Sequence, residues 1–323
     1  MIALLLRAGG ALRYPMRLAQ LSALSAAVTL ASTSLGVQAD VRTLAPGIVV
    51  DLGSHDAITP ANRGEIANSG LVIGTRAALA IDSGVSHAHG ERLYQAWKAA
   101  TDRPIEALLI TQPIQEFLFG AGAFREQGVK VMAHPAAARL MQQRCENCLT
   151  HLRELLPGGL MKGTTLIAPD QAVALDREID LGGRSLLLID ASAATTPGTL
   201  AVFDRASGTL FAGGLIASQR IPSLRDAHID AWIAALDALR MLPLKRIVPG
   251  FGPVGDVRQI DDMQRYLRAI DAAVRAEYQR GASLLEASAA VTLPAFAGWQ
   301  QYALLHPQNV QYLYRQLEDA EFR

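Results

Sequence analysis

Residues 109–124, LITQPIQEFLFGAGAF, carry the pattern that is most informative about the fold of this chain. An apolar run ends at Thr111, a six-residue loop follows, and Gly120 stands where the next helix begins. A short loop between a buried strand and a helix is a common position for functional side chains. This loop carries few of them, because Glu116 is its only ionisable residue.

Short apolar runs and helical periodicity surround this segment in a mixed order. We predict strands within 47–82, a helix at 87–101, strands at 105–111 and 129–133, and a helix at 136–156. A second strand-rich part runs from 171 to 214, followed by a helix at 228–241 and a strand at 246–249. This order predicts an α/β fold with two packed sheets between helices, a four-layer αββα sandwich, with a C-terminal helical extension at 256–323.

Residues 1–39 have the layout of a secretory signal peptide. Arg7, Arg13 and Arg17 precede or open an apolar stretch, no acidic residue is present, and the segment ends in Val37-Gln38-Ala39. This order of basic, apolar and small residues predicts export and cleavage before Asp40, so the mature protein would be periplasmic or secreted. An uncleaved membrane anchor is the alternative, and translation could start at Met1 or Met16.

The remaining residues, 40–323, are predicted to form one domain. The chain has 30 basic and 30 acidic residues, and removing the three signal arginines leaves 27 basic residues. No basic stripe is visible, which argues against nucleic acid as a partner. Membrane contact is expected only through an uncleaved signal segment. The partner is otherwise an unidentified periplasmic protein or small molecule.

Cys145 and Cys148 are the only cysteines and form a C-x-x-C pair. In an oxidising compartment such a pair forms a short-loop disulfide, remains as two buried thiols, or acts in redox chemistry. The redox alternative depends on the pair opening a helix, where the pKa of the first thiol falls. Two cysteines alone do not make a tetrahedral metal site.

Several segments, in order, resemble the metallo-β-lactamase superfamily. The loop after Thr111 has the frame of the first metal-binding loop, T-H-x-H-x-D-H-x-x-G. The segments ASAATTPGTLAVFD, GTLFAGGLI and IVPGFGPV resemble those that supply the later metal ligands. The seven ligand places are held here by Gln112, Ile114, Glu116, Phe117, Thr195, Gly214 and Phe251.

The resemblance implies zinc as the cofactor, but these residues do not support it. A hydrolytic zinc site needs at least three donor side chains and an open position for water. Only Glu116 is a reasonable ligand, since Ile114, Phe117 and Phe251 offer no lone pair and should fill the volume that metal ions would occupy. We therefore expect an apolar and dry vestigial site without metal.

A narrower resemblance concerns residues 57–74, AITPANRGEIANSGLVIG. Together with the altered metal loop and the helical tail, this segment resembles the periplasmic quinoprotein relay system zinc metallohydrolases. That likeness implies association with a quinoprotein-type periplasmic oxidation system.

The remaining candidates for chemistry are isolated. We interpret His87 and His89 as a surface pair at a helix N-terminus, since positions i and i+2 of a helix do not face each other. His134 is expected to cap or pack a helix. Ser192 lies in the expected cleft, but no histidine is predicted to activate it, and Glu116 is more simply a loop residue than a general acid or base.

The sequence therefore favours a non-hydrolytic accessory or binding protein with a degenerate metal site. Two enzymatic alternatives stay open. One is a metal-dependent hydrolase of the thioester, lactone or β-lactam type, and the other is thiol–disulfide chemistry at Cys145 and Cys148.

Overall fold

The computed structural model describes residues 41–54, 56–173, 175 and 178–321. The predicted signal segment and His55 lie outside these residues. No helix within the described ranges is both long and apolar enough to cross a bilayer.

The first sheet contains seven strands in sequence order. These are β1 (Val41–Ala45), β2 (Ile48–Asp51), β3 (Ser69–Ile73), β4 (Ala78–Ile81), β5 (Ile105–Ile110), β6 (Lys130–Ala133) and β7 (Gln171–Ala172). Strands β1 to β4 pair antiparallel, whereas β4 to β7 pair parallel. Parallel neighbours need crossover connections, and these connections carry helices to the outer face of the sheet.

The second sheet contains five strands. These are β8 (Ile179–Asp180), β9 (Ser185–Asp190), β10 (Leu200–Asp204), β11 (Thr209–Ala217) and β12 (Arg246–Phe251), in the order β12-β11-β10-β9-β8. Only β11 and β12 pair parallel. The turn between β8 and β9 contains Gly182 and Gly183, both with positive φ, as a tight hairpin requires.

Eight α-helices and a short 3₁₀ helix at Pro294–Phe296 complete the described part of the chain. Four helices lie in the first half: α1 (His87–Ala100), α2 (Gln115–Leu118), α3 (Ala121–Glu126) and α4 (Pro135–Leu155). Four follow β11: α5 (Ile229–Arg240), α6 (Arg258–Gln279), α7 (Leu284–Ala290) and α8 (Tyr302–Glu321).

Three apolar layers hold the sheets and helices together, and β5 illustrates how they form. Its residues alternate, so that Leu109 joins the layer between the two sheets while Leu108 and Ile110 join the layer under the first-half helices. Because both faces are covered, the strand is a continuous apolar run rather than an alternating one. The third layer packs the second sheet against α5, α6, α7 and α8.

The described fold is therefore the predicted four-layer αββα sandwich with a C-terminal helical extension. The predicted helices and the central strands are confirmed within a few residues of their predicted ends. Strand β1 was missed, because this edge strand exposes most of its side chains and lacks the apolar alternation that marks a half-buried strand.

One buried hydrogen-bonded pair joins the ends of the neighbouring parallel strands β4 and β5. Asp82 directly follows β4 with a φ of +58°, and Thr111 directly follows β5. The Asp82 carboxylate accepts the Thr111 N–H at 2.8 Å and the Thr111 hydroxyl at 2.7 Å. The carboxyl group is buried, and desolvation outweighs these two bonds and raises the pKa of Asp82 to about 7.

We expect this carboxyl group to make the stability of the protein depend on pH. The folded state binds the Asp82 proton more tightly than the unfolded state, so the free energy of unfolding falls as pH rises from about 4 to about 7. Asp82→Asn removes the charge, tolerates the left-handed backbone and can pair with Thr111. At about pH 8 its free energy of unfolding, measured by urea titration, should exceed that of the wild type by up to ~4 kcal/mol.

Asp102→Asn, at an exposed turn residue, is the matched control and should follow the wild-type curve. If urea titrations across this pH range gave the same slope for Asp82→Asn as for wild type, the raised pKa would be wrong.

Candidate functional site

The loop after β5 is held by backbone contacts that do not depend on its cleft-facing side chains. The Ser83 N–H and hydroxyl both donate to the Phe117 carbonyl, at 2.7 and 2.8 Å. The Gly120 N–H donates to the Gly84 carbonyl at 3.1 Å. A Cβ on Gly120 would lie 1.9 Å from the Ser83 carbonyl oxygen, so only glycine fits. The spacing from Thr111 to Gly120 is thus required by the packing of this loop against the turn after β4.

Four segments meet at one cleft of about 550 Å³. They are the loop after β5, the turn between β9 and β10, the middle of β11 with the segment after it, and the end of β12. Six of the seven predicted residues line this cleft: Gln112, Ile114, Glu116, Thr195, Gly214 and Phe251. The seventh, Phe117, is fully buried beneath it.

One aromatic ring lines the cleft floor and stacks on a second ring buried beneath it. Phe117 stacks on Phe251 with 5.6 Å between the ring centroids and 25° between the planes. Asn68 fixes the turn that carries Phe251 by donating from its side chain to the carbonyls of Pro249 and Gly252, both at 2.8 Å. The two phenylalanines therefore occupy a rigid position.

Gln112 and Gly214 fit each other closely. The Gln112 amide donates to the Thr196 hydroxyl at 2.8 Å, and its Oε1 lies 1.5 Å from where a Cβ of Gly214 would stand. Glycine at 214 therefore provides the space that the amide occupies. Gln112 is 6% exposed, and its Oε1 accepts no hydrogen bond from any described residue.

A buried charged pair stands beside the aromatic floor. Arg220 is 9% exposed, donates to the Asp56 carbonyl at 2.8 Å, and places its guanidinium 5.0 Å from the centre of the Phe251 ring. Desolvation raises the pKa of the partly buried Glu116, and attraction to Arg220 acts in the opposite direction. A cation over an aromatic face is stabilised further when it is desolvated.

The predicted apolar, dry site is therefore wrong in part. Phe117 and Phe251 do form an apolar floor, but Glu116 and Arg220 place charge next to it. Sequence reasoning missed Arg220, because it lies in a segment without a recognisable motif. Its partners come from distant parts of the chain.

The outer wall of the cleft is formed by α4 and the segment before α5. Arg144 donates to both carboxylate oxygens of Asp226, at 2.9 and 2.7 Å. Cys148 lines the wall one helical turn further along. Both cysteines are free thiols, and Cys145 is buried. As the predicted helix at 136–156 implies, α4 begins ten residues before Cys145 and the thiols lie in its middle, so the helix-opening position on which the redox alternative depends is absent.

The structure changes one of the two interpretations made for His87 and His89. His89 is buried rather than on the surface, with its Nε2 atom 3.5 Å from the Asp51 carboxylate and its Nδ1 atom 3.4 Å from the Val85 N–H. His87 remains partly exposed and contacts Glu126 at 3.0 Å. The two rings thus have separate partners, as their spacing requires.

His134 caps α4, as predicted, because its Nδ1 atom accepts the Ala136 N–H at 3.0 Å. Contrary to expectation, its Nε2 atom also lies 3.4 Å from the Ser192 hydroxyl. Since Nδ1 acts as the acceptor, Nε2 carries the proton and cannot remove another from Ser192. Ser192 instead donates to Asp190 at 2.5 Å, so this cluster is not an activated nucleophile.

Within the described ranges, no group of three or more His, Cys, Asp or Glu side chains is placed to share a metal ion. At the cleft the Glu116 carboxylate accepts a hydrogen bond from the Gln115 amide at 3.2 Å and is attracted by Arg220.

Comparison with solved structures shows that the chain has the metallo-β-lactamase fold. It aligns with a metallo-β-lactamase from Pontibacter korlensis at a TM-score of 0.58 and 21% identity, covering 72% of this chain and 99% of that one. The FIM-1 metallo-β-lactamase from Pseudomonas aeruginosa, in its mono-zinc form, aligns at 0.56 and 16% identity, covering 71% and 95%.

The inverting sec-alkylsulfatase Pisa1 from Pseudomonas sp. aligns over 86% of this chain at a TM-score of 0.66 and 16% identity. This chain matches 50% of the length of Pisa1. No protein-family model matches the sequence, and the search of curated proteins gave no match. These likenesses establish the fold, and the side chains of the cleft have to be interpreted on their own chemistry.

The fit between Gln112 and Gly214 predicts strong coupling between the two positions. Gly214→Ala should destabilise the protein by about 1–2 kcal/mol, because the new methyl group displaces the amide from its hydrogen bond with Thr196. In a Gln112→Ala background the same change should cost less than ~0.5 kcal/mol.

Urea denaturation of the wild type, both single variants and the double variant measures this coupling. Ser192 lies outside this contact, so the change in the free energy of unfolding caused by Ser192→Ala should simply add to that caused by Gly214→Ala. Simple additivity of the Gln112 and Gly214 changes would contradict the proposed fit.

Proposed function

We propose that this protein is a metal-free, non-hydrolytic binding protein that holds a small molecule in the cleft above Phe117 and Phe251. The observation that carries the proposal is the arrangement of Gln112. Its amide fills the space beside Gly214, and its buried Oε1 atom has no donor among the described residues. Buried polar atoms are nearly always hydrogen-bonded, and a ligand that turned this amide toward the cleft would satisfy the oxygen with a donor group.

The donor set argues against zinc at the cleft. Zinc in proteins takes four ligands from Cys, His and carboxylate side chains, three of them protein residues when the site is catalytic. Among the places aligned with the metal ligands, Glu116 supplies one carboxylate, while Phe117 and Phe251 stack on each other and the Gln112 amide is engaged with Thr196. Cys148, His151 and Asp226 line the outer wall, but no three described side chains of these types are placed to share an ion. The residues present therefore do not fit the metal that the fold commonly holds.

The size and chemistry of the cleft support a small-molecule ligand. Its volume of about 550 Å³ lies within the range of ligand sites in proteins, roughly 300–1,000 Å³. Phe251 and Ile114 offer apolar surface, and Arg220 offers a positive charge. A compact aromatic or aliphatic molecule with an anionic group matches these surfaces.

The cellular setting is part of the same proposal. The basic, apolar and small-residue order of residues 1–39 supports export to the periplasm. The resemblance of residues 57–74 to quinoprotein relay system metallohydrolases supports an accessory role beside a quinoprotein-type oxidation system. Detection of the mature protein in the cytoplasm rather than the periplasm would contradict this part.

Metal analysis tests the metal-free state directly. Mature protein purified from cells grown with zinc should contain well below one equivalent of zinc or iron. Added zinc should leave the melting temperature unchanged. A zinc ion that bound only the folded state would instead stabilise that state by mass action and raise the melting temperature. Near-stoichiometric metal, or zinc-dependent hydrolysis of a β-lactam or thioester, would favour the hydrolase alternative.

Binding to the cleft can be tested with anilinonaphthalene sulfonate, an aromatic anion that fluoresces in apolar surroundings. We expect one site per chain, and Ile114→Trp should weaken binding by about tenfold because the indole ring narrows the cleft, a loss of ~1.4 kcal/mol.

Met241→Ala is the matched control, since Met241 is 83% exposed and lies outside the cleft. Equal fluorescence from wild type and Ile114→Trp would show that the dye binds elsewhere and would contradict the proposed cleft.

A further inference from the structure

Two cysteines at the cleft wall, Cys145 and Cys148, have no role in the proposed binding function. Cys148 lines the cleft, and Cys145 is buried one helical turn earlier on α4. We propose that Cys148 is a reversible covalent attachment site, at which the cleft captures a low-molecular-weight disulfide compound as a mixed disulfide. The inference rests on the proposed function only in requiring that the cleft admit small molecules.

The two thiols have different surroundings. Cys145 is 1% exposed, with its Sγ atom 3.9 Å from the Pro113 carbonyl oxygen. The Cys148 Sγ atom lies 3.4 Å from the Arg144 carbonyl oxygen and is partly exposed on the cleft side. Of the two thiols, Cys148 is therefore the one open to a molecule that enters the cleft, while Cys145 stands behind it and donates to the Pro113 carbonyl.

The environment favours the thiolate of Cys148, the form that attacks disulfides. The neighbouring Cys145 thiol lowers the pKa of Cys148, with a smaller contribution from Arg225. Burial and the Glu116 carboxylate act in the opposite direction. The pKa of Cys145 is raised, first by its interaction with Cys148 and then by burial, so this thiol keeps its proton.

The helix disfavours an internal disulfide between the two cysteines. Residues three apart on a helix have Cβ atoms about 5–6 Å apart, whereas a disulfide needs about 3.5–4.5 Å. Both cysteines lie in the middle of α4, where the helix would have to distort to bring them closer. A mixed disulfide on Cys148 needs no such distortion, so attachment is favoured over internal oxidation.

The step is a thiol–disulfide exchange with a small disulfide R–S–S–R. The Cys148 thiolate attacks one sulfur, a new bond forms between Cys148 Sγ and that sulfur, and the original S–S bond breaks. The other half leaves as R–S⁻ and takes a proton from water, so the exchange involves no net oxidation. Excess external thiol reverses it by the same route.

2-Hydroxyethyl disulfide is a suitable probe because it is small and uncharged. Intact-mass spectrometry of the native, metal-free full chain at pH 7 should show one mercaptoethanol adduct, removed by excess mercaptoethanol. Cys148→Ser should form none. Cys145→Ala should react about fivefold more slowly, because the lost thiolate fraction is partly offset by higher nucleophilicity.

Two further measurements make the result decisive. Ile114→Trp keeps both cysteines and narrows the cleft, so it should also slow adduct formation. An adduct on Cys145, an unchanged rate in Ile114→Trp, or reaction only after unfolding in guanidinium would overturn the proposal. Anilinonaphthalene sulfonate binding is measured on the same wild-type sample and on Cys145→Ala, whose changed residue lies outside the cleft lining, and should be retained in both. Failure of covalent capture is thereby distinguished from failure of the binding function.

Discussion

The pair of hydrogen bonds between Asp82 and Thr111 is the constraint on which the cleft depends. It joins the ends of β4 and β5, and the neighbouring Ser83 holds the Phe117 carbonyl at 2.7 Å. These contacts use backbone atoms, one carboxylate and small side chains. Apart from the bond between Gln112 and Thr196, the loop is therefore held by groups that do not face the cleft. The cleft-facing residues are correspondingly free to specify a different chemistry.

The sequence predicted the fold well because its signals are local or periodic. The apolar runs around Leu109, the double glycine at 182–183 and the helical periodicity of α5 and α6 each specify one element, and their order specifies the layers. The edge strand β1 escaped prediction because three of its five side chains are exposed. Its place is determined by pairing with β2 rather than by its own composition.

The site was predicted less completely, because its chemistry arises from contacts between distant segments. The aligned segments located the residues from Gln112 to Phe251 that gather around the cleft, but no motif indicated Arg220. The proximity of His134 to Ser192 likewise follows from tertiary packing. A sequence pattern records spacing along the chain, whereas these contacts depend on distances in the folded structure between residues that are far apart in sequence.

The interlocking of Gln112 with Gly214 has a consequence for how this sequence can change over time. Any residue larger than glycine at 214 collides with the amide, and shortening Gln112 alone abandons its bond with Thr196. Gln112 thus makes substitution at 214 deleterious, whereas a shorter side chain at 112 removes that penalty. A larger residue at 214 is therefore tolerated only after position 112 has changed, and this order restricts the routes by which the sequence can reach a different site chemistry.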